Sequence, residues 1–224
     1  MTSLMIRTLG LAAALAAGFA LSACSEAVQA PFNFAGLSPV EEPEAVPAQP
    51  ILRWSHRSEG PEWTLATMNA LASHGEALPD MVPADIESWC PAYPQASEFE
   101  RRAFWAGLIS ALAWHESTHR PAAVGGGGRW HGLVQILPST ARGYGCEARS
   151  GIALQDGPAN LRCAVRIMSS TVARDGVISR GMRGVAADWG PFHSARKRED
   201  MRRWVSSQPF CAQSGDMTQL ASAE

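Results

Sequence analysis

Four stretches of the chain carry helical signals: Pro61 to His74 closed by Gly75, Ser97 to about Ser117, Pro158 to Asp175 closed by Gly176, and Ser194 to Ser206. Ser97 followed three residues later by Glu100 forms a capping box at the start of the second stretch, and Pro121 prevents that helix from running much further. Alternation of the strand type is scarce, and His131 to Leu137 is the one apolar run that suits a short strand or hairpin beside a cleft. There is no internal repeat. The pattern predicts a compact, mainly α domain over residues 52–212, with at most a short hairpin. Upstream, the apolar run from Leu9 to Leu21 follows a short head bearing Arg7, and it is too short to span a bilayer comfortably as a mature helix. Residues 1–23 therefore read as a secretory signal. Residues 24–51 are rich in Pro, Ala and Glu without periodicity, which predicts a disordered tether, and residues 213–224 read as a polar tail.

The 224 residues carry a formal net charge of -2, which supplies none of the cationic field that nucleic-acid binders use. Nucleic acid is excluded as a partner on that ground. Lys197 is the only lysine among 19 basic residues. Export changes the meaning of four of the five cysteines, because thiols in an oxidising compartment usually pair. Cys146 and Cys163 flank a short Gly-rich loop and the next helix, so they are expected to pair, leaving Cys90 with Cys211 to tie the two ends of the domain together. The fifth, Cys24, ends the string Leu21, Ser22, Ala23, Cys24, which resembles the lipobox of bacterial lipoproteins. That resemblance implies cleavage before Cys24, lipidation of its thiol, and a periplasmic protein held on a membrane by its acyl chains. Ser25 after the lipidated cysteine resembles the signal for outer-membrane sorting.

Along the second helix Trp105, Ile109, Leu112 and Glu116 follow at spacings of four, three and four, which puts a carboxylate at the end of an apolar stripe. Desolvation and the negative end of the helix dipole both favour its protonated form. A carboxyl that stays protonated near neutral pH suits proton donation to a glycosidic oxygen, and its conjugate base can then take a proton back. The competing possibilities are a Glu116 that reaches solvent or pairs with Arg120 or Arg129.

The string Ala113, Trp114, His115, Glu116, Ser117, followed by Pro121, Gly125 to Gly128, then Gly132, Leu133, Val134, Gln135, Ile136, Leu137, Pro138, Ser139, Thr140 and Ala141, resembles the soluble lytic transglycosylase family. Asp156, Pro158, Asn160 and Leu161 resemble that family's third stretch. The resemblance implies a domain similar to goose-type lysozyme. It further implies cleavage of the β-1,4 bond between N-acetylmuramic acid and N-acetylglucosamine in peptidoglycan, with a 1,6-anhydro end formed by the muramyl 6-hydroxyl. At matching positions Glu116 corresponds to the catalytic acid/base, Ser117 to its partner, and Gln135 to a polar residue of the sugar cleft. Gly132, Leu133 and Val134 fall in the same motif, and Val134 stands where Met is commoner. No cofactor or metal is called for, and a monomer working on glycan strands is expected.

The family's Ala-Tyr-Asn stretch has its nearest counterpart in Ala186, Ala187, Asp188, Trp189, so its Tyr is missing. Trp189 and Trp130 are then candidates to stack on sugar rings, and Asp188 is a candidate second carboxylate that would turn the outcome toward a hydrolytic muramidase, unless it caps a helix or pairs with Arg183. Trp105, at helical spacing, is expected in the core. Two other readings remain. His115, Glu116 and His119 also spell HExxH, the zinc-peptidase signature, although Pro121 follows closely. A non-catalytic lipoprotein that only binds peptidoglycan is the other.

Overall fold

The computed structural model describes residues 48–212; the signal segment, Cys24, most of the tether and the polar tail lie outside the described residues. Six α-helices carry the fold: α1 (Gly60–Leu71), the short α2 (Ala77–Asp80), α3 (Glu98–Ser117), the short α4 (Pro138–Gly143), α5 (Gly157–Asp175) and α6 (Ala195–Ser206). Each long helix begins where its local chemistry says it should. The Ser97 hydroxyl accepts from the Glu100 amide and the Glu100 carboxylate accepts from the Ser97 amide, completing the capping box of α3. Asp156 caps α5 by accepting from the Ala159 amide at 2.8 Å, and Gly176 closes that helix in the left-handed conformation. Ser194 accepts from the Lys197 amide at the start of α6. Helix α1 stops at Leu71, short of the expected His74, and the chain then turns through Gly75, whose amide donates to the Ala70 carbonyl.

The centre of the molecule is α3. From Ala103 through Ala113 every residue is buried, so this segment is an axial helix covered on all sides rather than the one-sided stripe its spacing suggests. Helices α1, α2 and α6 pack against it, and α5 packs on α1. Burial of Phe104, Leu108, Ile109 and Leu112, each contributing about 1.5 to 3 kcal/mol, together with Trp105, makes α3 the element that the others are organised around.

Tryptophan serves this core more than it serves a cleft. Five of the eight, Trp54, Trp63, Trp89, Trp105 and Trp189, are buried. As expected for the core, Trp105 is fully enclosed, and its indole N–H reaches the Leu78 carbonyl and the Tyr93 hydroxyl, both at 2.9 Å.

Among the described residues, strand is confined to two short antiparallel hairpins. One pairs β1 (Val124–Gly125) with β2 (Trp130–His131), just ahead of and into the run expected to contain it. The other pairs β3 (Ser179–Arg180) with β4 (Arg183–Gly184) and had no signal in the alternation pattern, being only two residues a side. Among the described residues no helix is long and apolar enough to cross a membrane.

Both expected disulfides are present, Cys90 to Cys211 across 121 residues and Cys146 to Cys163 across 17. The first pins the chain after α2 to the 3-10 turn that follows α6, drawing the two ends of the fold together. By chain entropy the long loop should stabilise the protein by about 5 kcal/mol and the short one by about 3. We predict that Cys90→Ala with Cys211→Ala lowers the free energy of unfolding more than Cys146→Ala with Cys163→Ala. Denaturant titration of the two double variants checks the order, and equal losses would contradict it.

Candidate active site

Helix α3 ends abruptly, and that ending builds the site. Thr118 and His119 take left-handed backbone angles, with φ of 52° and 57°. The Ser117 hydroxyl donates to the Ala113 carbonyl and accepts from the Arg120 amide, both at 3.2 Å, so it fastens the turn rather than facing the groove. His119 is thereby thrown inward. It is fully buried beside Trp54, Trp114 and His56, its Nε2–H donates to the Ser110 carbonyl at 2.9 Å, and burial pushes it down to about 4. His115 goes another way: its Nε2–H donates at 2.7 Å to Asp200, whose same oxygen accepts Arg53 at 2.6 Å. Burial lowers the His115 pKa against the opposing pull of Asp200, and Arg53 holds Asp200 low.

The HExxH spelling therefore has no structural counterpart. In the HExxH motif the two imidazoles share a zinc by lying one turn apart on one helical face, and here the helix ends before His119. Among the described residues no group of three or more His, Cys, Asp or Glu is arranged to hold a metal ion.

Between the two imidazoles Glu116 points into an open groove of about 350 Å³. Its carboxyl has neither a hydrogen bond nor an ion pair with any described residue. The two arginines that might have paired with it are engaged locally: Arg120 Nε donates to the Ser117 carbonyl at 3.0 Å and Arg129 Nε to the Gly126 carbonyl at 2.9 Å. Desolvation raises the Glu116 pKa to about 7, and the ammonium of Lys197, on the same groove, works against that rise.

The remaining walls come from three places. The first is the β1–β2 hairpin, whose Gly126 presses on the Trp130 ring so closely that a Cβ would overlap it. The Arg129 guanidinium lies 4.7 Å from the centroid of that ring. Trp130, half-buried, gives the groove an aromatic surface.

The second is the segment after β2. Gln135 sits at φ 51°, and its amide group donates to the carbonyls of Ala123 at 3.1 Å and Gly132 at 2.9 Å. Its Oε1 is left as an acceptor at the groove. Asn160 holds this turn from beneath, donating to the His131 and Leu154 carbonyls and accepting from the Val134 amide at 3.0 Å. Gly132, at φ 85°, lies so near Asn160 and the Leu154 carbonyl that no side chain fits there. Gly132, Leu133 and Val134 are buried and absent from the groove lining, which corrects the expectation that they line it; they hold Gln135 in place instead.

The third wall runs from Asp188 through Pro191 to Lys197. Asp188 ends the 3-10 turn Val185–Ala187 through its backbone amide, but its carboxylate does not pair with Arg183, which donates to the Asp175 carbonyl; it accepts the Tyr144 hydroxyl at 3.3 Å. Desolvation raises its pKa while the Tyr144 hydrogen bond offsets part of the rise. Trp189 borders the groove but is only 3% exposed, with its indole N–H donating to the Val134 carbonyl at 2.8 Å. An indole so enclosed has no free face toward the groove, so of the two candidates only Trp130 offers ring surface there. Lys197 was not among the residues expected at the site. Its signal was compositional, as the single lysine of the chain, and no motif tied it to Glu116.

Residues 95–182 match the family described as "Transglycosylase SLT domain". Among solved structures, two glutamate-to-glutamine mutants of DslA are similar to this chain, at 27% and 26% identity, each with a TM-score of 0.67. A wild-type form of DslA follows at 26% identity and a TM-score of 0.64. Each of these comparisons covers 74% of this chain and 100% of the other. No curated protein matches the chain. The SLT match takes in Glu116, Trp130 and Gln135 and stops before Asp188 and Lys197. Residues 95–182 thus match a transglycosylase SLT domain, and the chain has a lysozyme-like, mainly helical fold; both support a function of lytic transglycosylase type on peptidoglycan.

Proposed function

We propose that the protein cleaves the β-1,4 bond between N-acetylmuramic acid and N-acetylglucosamine, with Glu116 as acid and then base. The observation that supports this most is a desolvated carboxyl, free of any protein partner, in a groove large enough for sugar rings. In the first step the protonated Glu116 gives its proton to the glycosidic oxygen and the bond to the muramyl C1 breaks. The positive charge that develops at C1 and the ring oxygen is met by the substrate's own N-acetyl oxygen. The muramyl 6-hydroxyl then attacks C1, its proton passes to the Glu116 carboxylate, and a 1,6-anhydro ring forms with no water consumed. Trp130 supplies a ring face, and Gln135 Oε1 accepts a hydrogen bond from a sugar hydroxyl or amide.

A hydrolytic outcome is the second reading, and the position of Asp188 in the same groove favours it. An ionised Asp188 would activate a water in place of the muramyl hydroxyl. Mass spectrometry of muropeptides released from sacculi separates the two. Anhydro ends support the transglycosylase reading, and reducing ends would replace it with the hydrolase.

We further propose that the protein works as a monomer in the periplasm, anchored by lipid on Cys24 with the outer membrane as its site. The two disulfides are in keeping with an oxidising compartment. Cys24→Ala should move the protein from the membrane fraction to the soluble fraction on cell fractionation; retention on the membrane would reject the anchor.

Glu116→Gln should lower kcat by about 10³-fold or more while sacculus binding persists. Turnover close to that of the wild type would remove Glu116 from the mechanism. The same carboxyl gives a stability signature. A folded pKa of about 7 against an ordinary value of 4.5 means that the fold favours the protonated acid. The stability this gives is complete below about pH 4.5 and lost as pH rises through about 7. Glu116→Gln should therefore gain up to about 3 kcal/mol over the wild type at pH 8 relative to pH 4. Thermal unfolding at the two pH values measures this, and a difference that does not change with pH would contradict the raised pKa. A chelator is expected to leave turnover unchanged in muropeptide-release assays.

A further inference from the structure

Helix α6 carries Lys197 into the groove, yet the neighbouring acids are all committed elsewhere. Glu199 pairs with Arg202 at 3.4 Å and Arg203 at 3.9 Å, and Asp200 holds Arg53 and His115. Within the groove Glu116 favours its uncharged form up to neutral pH, and Asp188 already accepts the Tyr144 hydroxyl. Among the described residues the Lys197 ammonium has no ion pair and no hydrogen bond to an acceptor, although the residue is half-buried at the groove wall. A partly desolvated cation without a counter-charge is completed by an anionic ligand.

On a peptidoglycan strand the choice of anion is narrow. The hydroxyl and acetamido groups of both sugars are neutral. Negative charge enters only through the lactyl ether of the muramyl residue, either as its own free carboxylate or through the carboxylates of a peptide attached to it. We infer that Lys197 forms an anion subsite that recognises a carboxylate carried on the muramyl lactyl group, and so distinguishes a muramyl-containing strand from a plain N-acetylglucosamine polymer. This rests on the glycan-binding groove proposed above. A lysine suits the task because its single charge, on a flexible four-carbon stem, follows a carboxylate whose position shifts with the attached peptide.

Binding in the Glu116→Gln background tests this without turnover and without titration of Glu116. Calorimetry at pH 7 compares three probes of equal length: an N-acetylglucosamine tetramer, an alternating N-acetylglucosamine and muramyl tetramer with free lactyl carboxylates, and the same tetramer bearing stem peptides. With Lys197 in place, at least one carboxylate-bearing probe should bind about 10-fold tighter than the neutral tetramer. Adding Lys197→Met should abolish that preference, and Lys197→Arg should keep most of it. The probe whose preference disappears identifies whether the lactyl carboxylate or the peptide is read. Arg196→Met removes the same charge from the exposed neighbouring position and should leave the preference intact. A preference that survives Lys197→Met, its absence with Lys197 present, or its equal loss in Arg196→Met would overturn the subsite. If the wild type releases no muropeptides while the preference behaves as described, the cleavage reading fails and the subsite stands.

Discussion

The site depends on taking one carboxyl out of water at the end of a helix that cannot move to put it back. Eleven consecutive residues of α3 are enclosed by the rest of the molecule, so the helix axis is fixed by packing, and Glu116 is delivered to its position by that packing. The left-handed pair Thr118 and His119 then ends the helix within one turn of Glu116. His119 folds back to the Ser110 carbonyl, and Ser117 ties the turn to the Ala113 carbonyl. An acid that is hard to ionise is thus a product of core packing, with no charged neighbour needed to raise its pKa; the one cation nearby works in the opposite sense.

Much of this was legible in the sequence because it is local. The capping box at Ser97 and Glu100, the Pro158 and Gly176 ends of α5, and the start of α6 at Ser194 depend on residues close in sequence, and the structure has all of them to within a residue. The cysteine pairing was readable because four thiols leave few choices and chain order favours one. What was misread is what depends on depth. A stripe with spacings of four, three and four looks the same whether the helix lies at a surface or at the centre, and only tertiary structure shows that α3 is surrounded. The tryptophans were open to the same ambiguity: five went to the core, and of the two proposed for the cleft, Trp130 has ring surface there while Trp189 is sealed against the Val134 carbonyl.

The HExxH spelling, weighed only as a competing reading, and Lys197, which no motif flagged, mark opposite limits of reading along the chain. In the first, a contiguous pattern suggested a site that backbone geometry dismantles, because a five-residue string does not state where its helix stops. In the second, a residue 81 positions after Glu116 reaches the same groove, and nothing local links the two. The Gly132 to Val134 segment falls between these cases. Its residues are in the right place but act from below, through Asn160 and backbone amides, on the one member, Gln135, that reaches the groove.

The architecture splits the groove between an enclosed half and an outer half. Glu116 and Gln135 are fastened to the most enclosed parts of the molecule, where almost any exchange disturbs packing. Asp188, Pro191 and Lys197 sit on a short 3-10 segment and an outer helix, beyond the stretch that matches the SLT family. Replacements on that outer wall leave the packing around the acid intact, while exchange of Lys197 would remove the one charge that opposes the rise in the Glu116 pKa. On the proposed reading, the strand-selecting wall and the proton-carrying acid are anchored in separate parts of the fold and meet only across the groove.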